Sequence, residues 1–279
     1  MRISRIGQIR VYVGKLFRLF VTEKQWKNFI STMLIMLLIC MVTSSDMFVY
    51  YNPTKSGSFA IICACIWVGL FNSIQSICKE RAIIKREHRS GMHISSYVAA
   101  HMIYELFLCV VESLVIMVIV VVKNFDNLPA EGLLFPAVLD IYITLLLVVF
   151  SSDMMAILVS CIVRKESTAM TVMPFVLIIQ LVMSGMIFEL DGIAEKISYL
   201  TLSRWGLNAI MAVSNNVHTV YDHVDVENVK NIGYIQQELT GCDPEIKTIL
   251  VVWGLLILFS LVYAAIGTLF LERVDSDKR

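Results

Sequence analysis

The sequence from 58 to 90 reads SFAIICACIWVGLFNSIQSICKERAIIKREHRS and changes character at Lys79. The first part, Ser58–Cys78, has no charged residue and is long enough to cross a ~30 Å hydrocarbon core, which takes about 20 residues. The second part, Lys79–Ser90, carries five basic and two acidic side chains around a short apolar segment. This pattern predicts a membrane span that continues into a charged helix at the membrane surface.

The composition of the whole chain is that of a membrane protein. The 279 residues are 57% apolar and 16% charged, with a mean hydropathy of +0.74. Soluble domains contain about 45–50% apolar and about 25% charged residues. The net charge of zero excludes a basic nucleic-acid-binding protein, and the seven cysteines have neither metal-ligand nor disulfide-framework spacing. We therefore expect a polytopic membrane protein without a metal site.

Five further apolar segments complete an all-α fold with six transmembrane helices. They are Phe29–Tyr50, Tyr97–Val122, Leu133–Val163, Ser167–Phe188 and Thr248–Leu271. Of the 23 Lys and Arg residues, 17 fall in the segments on one side, which the positive-inside rule makes cytoplasmic. Both termini then lie in the cytoplasm. The predicted domains are an N-terminal helix (1–28), a six-span transmembrane domain (29–271) and a cytoplasmic tail (272–279).

The segments outside the spans have helical patterns of their own. Apolar residues before the first span recur at helical spacing opposite basic residues, which predicts an amphipathic cytoplasmic helix. This helix either binds anionic lipid or also docks a cytoplasmic partner. The segment 189–247 is too long for a simple loop, and its first part is predicted to form re-entrant helices. Its second part is acidic, and its spacing fits no tight metal site.

Five motifs follow one another along the chain in a recognisable order. They are WVGLFNS at 67–73, KERA at 79–82, REHRSG at 86–91, SGMIF at 184–188 and YLTLSRWGLNA at 199–209. Together they resemble the membrane subunit of type-2 ATP-binding cassette (ABC) exporters, particularly the G-subfamily type. The family often has Leu-Pro early in the third span, where this chain has Leu106-Phe107. No G-x-x-x-x-G-K-[ST] phosphate-binding motif occurs, so the resemblance implies an ATPase on a separate chain.

The resemblance also implies a set of partners and a coupling element. The permease would be non-enzymatic and free of cofactors, and partner ABC ATPase subunits would bind ATP and Mg²⁺. A second permease chain, identical or a paralogue, would complete the assembly in a bacterial cytoplasmic membrane, in contact with lipid and not with nucleic acid. The charged helix 79–90 would couple to the ATPase through Glu80, Arg81, Arg86, Glu87, Arg89 and Gly91.

The translocation path is expected between the two copies, along the uncharged second and fifth spans. Helical spacing gives one stripe on each span, and such walls suit an apolar or amphipathic substrate. The stripes consist of Ile61, Cys65, Val68 and Asn72 on the second span, and of Pro174, Ile178 and Leu181 on the fifth. By resemblance, a hydrophobic gate would be formed by Met186 and Ile187.

Polar residues within the spans are the remaining candidates. They are His101, Glu105, Glu112, Asp140 and Asp153. Charged groups at such positions usually face protein or water. They would form either a polar relay or ordinary interhelical hydrogen bonds. They also support an alternative function, a proton-coupled secondary transporter, although the sequence shows no inverted repeat.

Overall fold

The computed structural model describes residues 4–24, 26–188, 190–214 and 245–272, and within them the chain is helical and has no strand. This confirms the predicted all-α class. The helices are α1 (Arg5–Thr22), α2 (Lys27–Val42), α3 (Tyr51–Ser73), α4 (Ser76–Arg89), α5 (Ile94–Lys123), α6 (Ala137–Ile162), α7 (Glu166–Val182), α8 (Ile193–Ser198), α9 (Leu202–Ser214) and α10 (Ile246–Leu271).

Four helical segments in the described part of the chain are long and apolar enough to cross a membrane. They are Tyr51–Arg89, which contains α3 and α4, and the helices α5, α6 and α10. The apolar parts of α2 and α7 are shorter, at Phe29–Val42 and Glu166–Val182. The four long segments therefore account for the second, third, fourth and sixth predicted spans. The first and fifth predicted spans correspond to helices that end earlier than the sequence indicated.

The early end of α2 has a visible cause. The backbone turns to an extended conformation at Thr43 instead of continuing as a helix to Tyr50. The Lys123 ammonium donates hydrogen bonds to the carbonyl groups of Cys40 and Thr43 and to the Thr43 hydroxyl. A cation at a helix C-terminus satisfies carbonyl groups that have no partner within the helix. Lys123 therefore fastens the end of α2 to the end of α5.

The core of the chain is organised around α6, which packs against α3, α5, α9 and α10. Small residues allow these helices to approach closely. A Cβ atom added at Gly69 of α3 would lie 2.0 Å from Oγ of Ser152 and 2.8 Å from the carbonyl oxygen of Val149, both on α6. Membrane helices associate largely through such close packing, because lipid tails are as apolar as the helices.

The start of α6 is fixed by Asp140. The fourth span was predicted from Leu133, but α6 begins only after Pro136 at its N-cap. The buried Asp140 carboxylate accepts backbone N–H groups of Leu133, Leu134 and Phe135 at 2.8, 3.0 and 3.1 Å. Asp140 therefore holds the preceding loop. It does not share hydrogen bonds with the other predicted intramembrane acids.

Replacing Asp140 with alanine is expected to destabilise the chain by about 3 kcal/mol, because three N–H groups would lose a charged acceptor in a partly buried loop. The measurement is the unfolding midpoint of the purified protein in lipid nanodiscs. Asp126→Ala changes an exposed carboxylate of the same loop and should cost less than about 0.5 kcal/mol. Equal midpoints for the two variants would contradict the holding role of Asp140.

The segment after α7 folds back into the core, as a re-entrant element would. The Gln180 side-chain oxygen accepts the N–H groups of Leu202 and Ser203 at 2.9 and 3.3 Å, and the Gln180 carbonyl accepts the Ser203 hydroxyl. This fastens the N-terminus of α9 to the C-terminal part of α7. Helix α9 is buried against α3, α6 and α10. The acidic part of the predicted segment 189–247 lies outside the described residues, which omit 215–244.

Candidate coupling and translocation surfaces

Helix α1 is fastened along one side of α4 and the turn that follows it. Three side chains of α1 at spacings of four and three residues make the contacts. Gln8 donates to the carbonyl of Gly91 at 3.2 Å, and its side-chain oxygen accepts the N–H of His93. The Tyr12 hydroxyl donates to Glu87 at 2.8 Å, and Lys15 pairs with Glu80 at 3.1 Å. The predicted N-terminal helix therefore packs against α4 of its own chain, and its binding to lipid or to a cytoplasmic partner stays a prediction.

Tyr12 is the central residue of this contact. Its ring packs edge-on against Tyr97 of α5. Burial, followed by the hydrogen bond to the Glu87 carboxylate, raises the pKa of the Tyr12 phenol above its ordinary value. A raised pKa means that the phenol is a donor at neutral pH and that the bond is lost only as pH rises through the raised pKa. The α1–α4 contact should therefore persist at pH 9.

The Tyr12→Phe variant should loosen α1 without unfolding the chain. Removing one hydrogen bond to a charged group at a half-exposed site costs about 1 kcal/mol, which predicts about fivefold faster amide exchange in α1. Hydrogen–deuterium exchange with mass spectrometry measures this. The matched control is Tyr142→Phe, which removes a hydroxyl that bonds to the carbonyl of Val110 on α5 and not to a residue of α4. Exchange in α1 that is no faster than in the control would show that Tyr12 does not hold the helix.

The base of α4 is tied to the end of α6. The Arg81 guanidinium donates to the carbonyl groups of Cys161 and Val163 at 2.9 and 3.0 Å. The Ser160 hydroxyl accepts the N–H groups of Ile77 and Cys78 at 3.1 and 3.0 Å. These bonds occupy carbonyl groups at the α6 C-terminus and N–H groups at the α4 N-terminus, which lack partners within their own helices. Four hydrogen bonds therefore join the N-terminal part of α4 to the end of α6.

The C-terminal end of α4 is fixed by Gly91, as the sequence predicted. Gly91 has φ +102°, and the N–H of Met92 bonds to the carbonyl of Glu87 at 3.1 Å. A glycine in this conformation is the usual end of an α-helix, because it avoids the steric cost that other residues have there.

The predicted coupling residues divide between two faces of α4. Glu80, Arg81 and Glu87 are half-buried and make the bonds within the chain described above. Arg86 and Arg89 lie on the exposed face. That face, called here the basic stripe, consists of Lys79, Ala82, Ile83, Arg86 and Arg89. Lys79 and Ile83 were not among the predicted coupling residues, although Lys79, Ile83 and Arg86 follow one another at helical spacings of four and three residues.

The acids of the spans pair with neighbours on other helices. Asn72 of α3 donates to Glu112 of α5 at 2.6 Å. Ser73 of α3 and Cys109 of α5 donate to the two carboxylate oxygens of Asp153 on α6, at 2.8 and 2.7 Å. These bonds join three helices at one level. Glu112 and Asp153 thus make interhelical hydrogen bonds, which is one of the two roles predicted for the polar residues of the spans.

The stripe predicted for the second span is wrong. Ile61, Cys65 and Val68 are at most 3% exposed and belong to the core, so they do not line a path. Their face of α3 packs against α6, where Gly69 permits close contact. Asn72 is half-buried and bonds to Glu112 as described above. The opposite face of α3 is the one left open, and it contains Cys63, Trp67 and Phe71, the latter two almost half exposed.

The residues predicted for the path on the fifth span and for the gate are exposed or half-buried. Pro174 and Ile178 of α7 are exposed, whereas Leu181 is half-buried. After α7 the chain turns at Gly185, with φ +77°. Met186 then packs beside Leu207 and Met211 of α9, and Ile187 is 52% exposed. Together, the open faces of α3 and α7 are called here the open apolar face.

No group of three His, Cys, Asp or Glu side chains in the described part of the chain is arranged to hold a metal ion.

Comparison with known proteins identifies the family to which this chain belongs. Residues 8–214 match the family ABC-2 type transporter. The chain is also 24% identical over 172 residues to the ABC transporter ATP-binding/permease protein Rv1747 of Mycobacterium tuberculosis. That alignment covers 60% of this chain and 20% of the relative, so the chain spans only a part of that protein. The family match covers most of the chain, including the basic stripe, the open apolar face and the buried acids, and the chain therefore belongs to the ABC-2 type transporter family as a membrane permease.

Proposed function

We propose that this chain is the permease subunit of an ATP-driven exporter, powered by a separate ABC ATPase subunit that binds ATP and Mg²⁺. The observation that carries the proposal is that α4 is held in place by two neighbouring helices. Helix α1 holds one side of α4, α6 holds its base, and the remaining side presents the basic stripe. A charged helix held in this way transmits a push from a docked protein into the core of the bundle.

The proposed orientation places α1 and α4 in the cytoplasm, where ATP is available. Its support is the distribution of basic residues, of which 17 of 23 fall on that side when six spans are assumed. In this arrangement α2 and α7 complete the six spans as short helices, both termini are cytoplasmic, and the membrane is a bacterial cytoplasmic membrane. Short helices span by local thinning of the bilayer or by burial within an assembly.

The proposed substrate path runs along the open apolar face, against a second permease chain. Trp67 and Phe71 of α3 and Phe175, Ile178 and Ile179 of α7 are each 46–63% exposed. Large side chains of this kind suit an apolar or amphipathic substrate. The second chain is either an identical copy or a paralogue.

The alternative, a proton-coupled secondary transporter, is less well supported. Its candidates, Glu112 and Asp153, bond to Asn72, Ser73 and Cys109 of neighbouring helices. Such bonds account for the burial of these acids without proton transport, and membership of an ABC transporter family does not favour the alternative.

The test is reconstitution of material purified through a tag on this chain. We expect an ABC ATPase to co-purify, and transport of a fluorescent amphiphile into proteoliposomes to require ATP and Mg²⁺ inside the compartment to which α4 is exposed. A matched preparation receives a non-hydrolysable ATP analogue. Transport driven equally well by a pH gradient without ATP would overturn the proposal in favour of the alternative.

A further inference from the structure

A cavity of about 600 Å³ lies between α1, α3, α4 and α5. It is distinct in character from the open apolar face, because its lining combines polar and apolar side chains. Its apolar walls include Phe20, Phe29, Phe71 and Leu108. Its polar groups within the bundle are Asn72, His101, Glu105 and Glu112. The cations that line it are Lys15, which is paired with Glu80, and Lys79, which is exposed at the mouth.

His101 is the unexplained residue of this cavity. Its side chain is only 2% exposed, and neither ring nitrogen has a hydrogen-bond partner among the described residues. The centre of its ring lies 4.7 Å from that of Tyr97, with the two ring planes tilted by 60°. A buried polar group without a partner is costly, so such groups in folded proteins usually meet water or a ligand. A neutral imidazole offers one lone pair as a hydrogen-bond acceptor.

Glu105 stands one helical turn from His101 and lines the same cavity. Residues four apart on a helix lie side by side, about 5–6 Å apart at their Cβ atoms. The Glu105 side chain is 4% exposed. Glu112 receives an amide donor from Asn72, whereas the hydroxyl within reach of Glu105 is that of Ser73, which donates to Asp153. Glu105 and His101 thus present neighbouring acceptors to the cavity.

We propose that this cavity binds the ammonium group of an amphiphile, with His101 and Glu105 accepting its N–H donors and the apolar chain lying along Phe20, Phe29 and Phe71. A primary ammonium carries three donors and no acceptor, which matches two adjacent acceptors on one helix face. The buried carboxyl groups of Glu105 and Glu112 disfavour an anionic headgroup at the same place. The aromatic walls add favourable contacts with both the cation and the chain.

The experiment measures binding of tritiated dodecylammonium to the full chain in phosphatidylcholine nanodiscs, with empty nanodiscs subtracted. We expect saturable binding of one ligand per chain. Glu105→Gln should weaken it by about tenfold, as expected for the loss of one charge-assisted hydrogen bond, and His101→Leu should weaken it by a smaller factor. Glu166→Gln makes the same change at an exposed carboxylate at the start of α7 and should bind like the wild type.

Competition on the wild-type protein tests the proposal without any variant. Unlabelled dodecylammonium should displace the probe, and dodecanol, which has the same chain without the charge, should not. Displacement by dodecanol at the same concentration, or equal affinities for Glu105→Gln and Glu166→Gln, would overturn the proposal. Phosphatidylethanolamine in the nanodiscs identifies the source of the ammonium, since it competes if the natural ligand is a lipid headgroup and has no effect if it is a free amphiphile.

Binding in this assay needs neither an ATPase nor a second permease chain. An absence of binding would therefore leave the proposed transport function standing, and an absence of ATP-driven transport would leave the site standing.

Discussion

The Gly69→Val variant is expected to fail to reach a monodisperse folded state. A Cβ atom at this position would lie 2.0 Å from the Ser152 hydroxyl and 2.8 Å from the Val149 carbonyl oxygen. The hydroxyl has some freedom to rotate away, but the carbonyl is part of the α6 backbone and moves only with the helix. The branched side chain would force α3 and α6 apart over the centre of the core, at a cost of about 3 kcal/mol or more.

The measurement is the fraction of protein that elutes as a single species from size-exclusion chromatography, together with the unfolding midpoint. Gly254→Val is the matched control, because Gly254 lies within α10 and a Cβ atom there would meet nothing within 4 Å. Both changes alter helix propensity equally, so a difference in yield or in unfolding midpoint between the two variants reports packing. An equal yield and midpoint for the two variants would show that α3 and α6 do not pack as described.

Gly69 also explains why the second span was assigned the wrong face. Ser58–Cys78 has no charge and is apolar all round, so helical periodicity does not indicate which side faces protein. A bilayer is as apolar as a protein core, and the usual separation of polar from apolar faces is lost. The sequence did contain another signal, because small residues mark packed faces in membrane helices. Gly69 and Ser73 share the face of Cys65, and all three are buried.

The ends of the helices were also predicted only in part from the sequence. The sixth span was predicted almost to the residue, because no competing interaction interrupts Ile246–Leu271. The first and fourth spans were predicted too long, because their ends depend on contacts between distant residues. Lys123 reaches the end of α2 across 80 positions, and Asp140 reaches back over the loop before α6. Hydropathy averages over a window and contains no information about such contacts.

The charged helix α4 could be predicted from motifs, but its contacts could not. The charged helix and the role of Gly91 as its end could be predicted locally, because both depend on neighbouring residues. Which charges pair inside the chain depends on α1, more than 60 positions earlier in the sequence. Glu80 and Glu87 are seven residues apart and face α1, whereas Arg86 lies on the opposite side. The motif alone does not distinguish the charged residues that pair within the chain from those that are exposed.

The Arg86→Glu variant is expected to lower substrate-stimulated ATP hydrolysis of the assembled transporter by about tenfold or more, as a repulsive charge within a complementary interface does. Arg86 is exposed on the basic stripe and lies between Ile83 and Arg89. Charge reversal there removes an attraction to an acidic partner surface and adds a repulsion, while the bonds of Glu80, Arg81 and Glu87 that hold α4 are left intact.

The matched control is Lys196→Glu, which makes the same change of charge at an exposed position on α8. Its ATP hydrolysis should equal that of the wild type. The salt dependence separates docking from a folding defect, since exposed charges act less strongly as the Debye length falls from about 10 Å at 0.1 M to about 3 Å at 1 M salt. If the basic stripe binds an acidic surface, high salt should weaken the wild-type complex. The difference in ATP hydrolysis between the wild type and Arg86→Glu should then become smaller. A variant that hydrolyses ATP normally at low salt would contradict the proposed docking of an ATPase on the basic stripe.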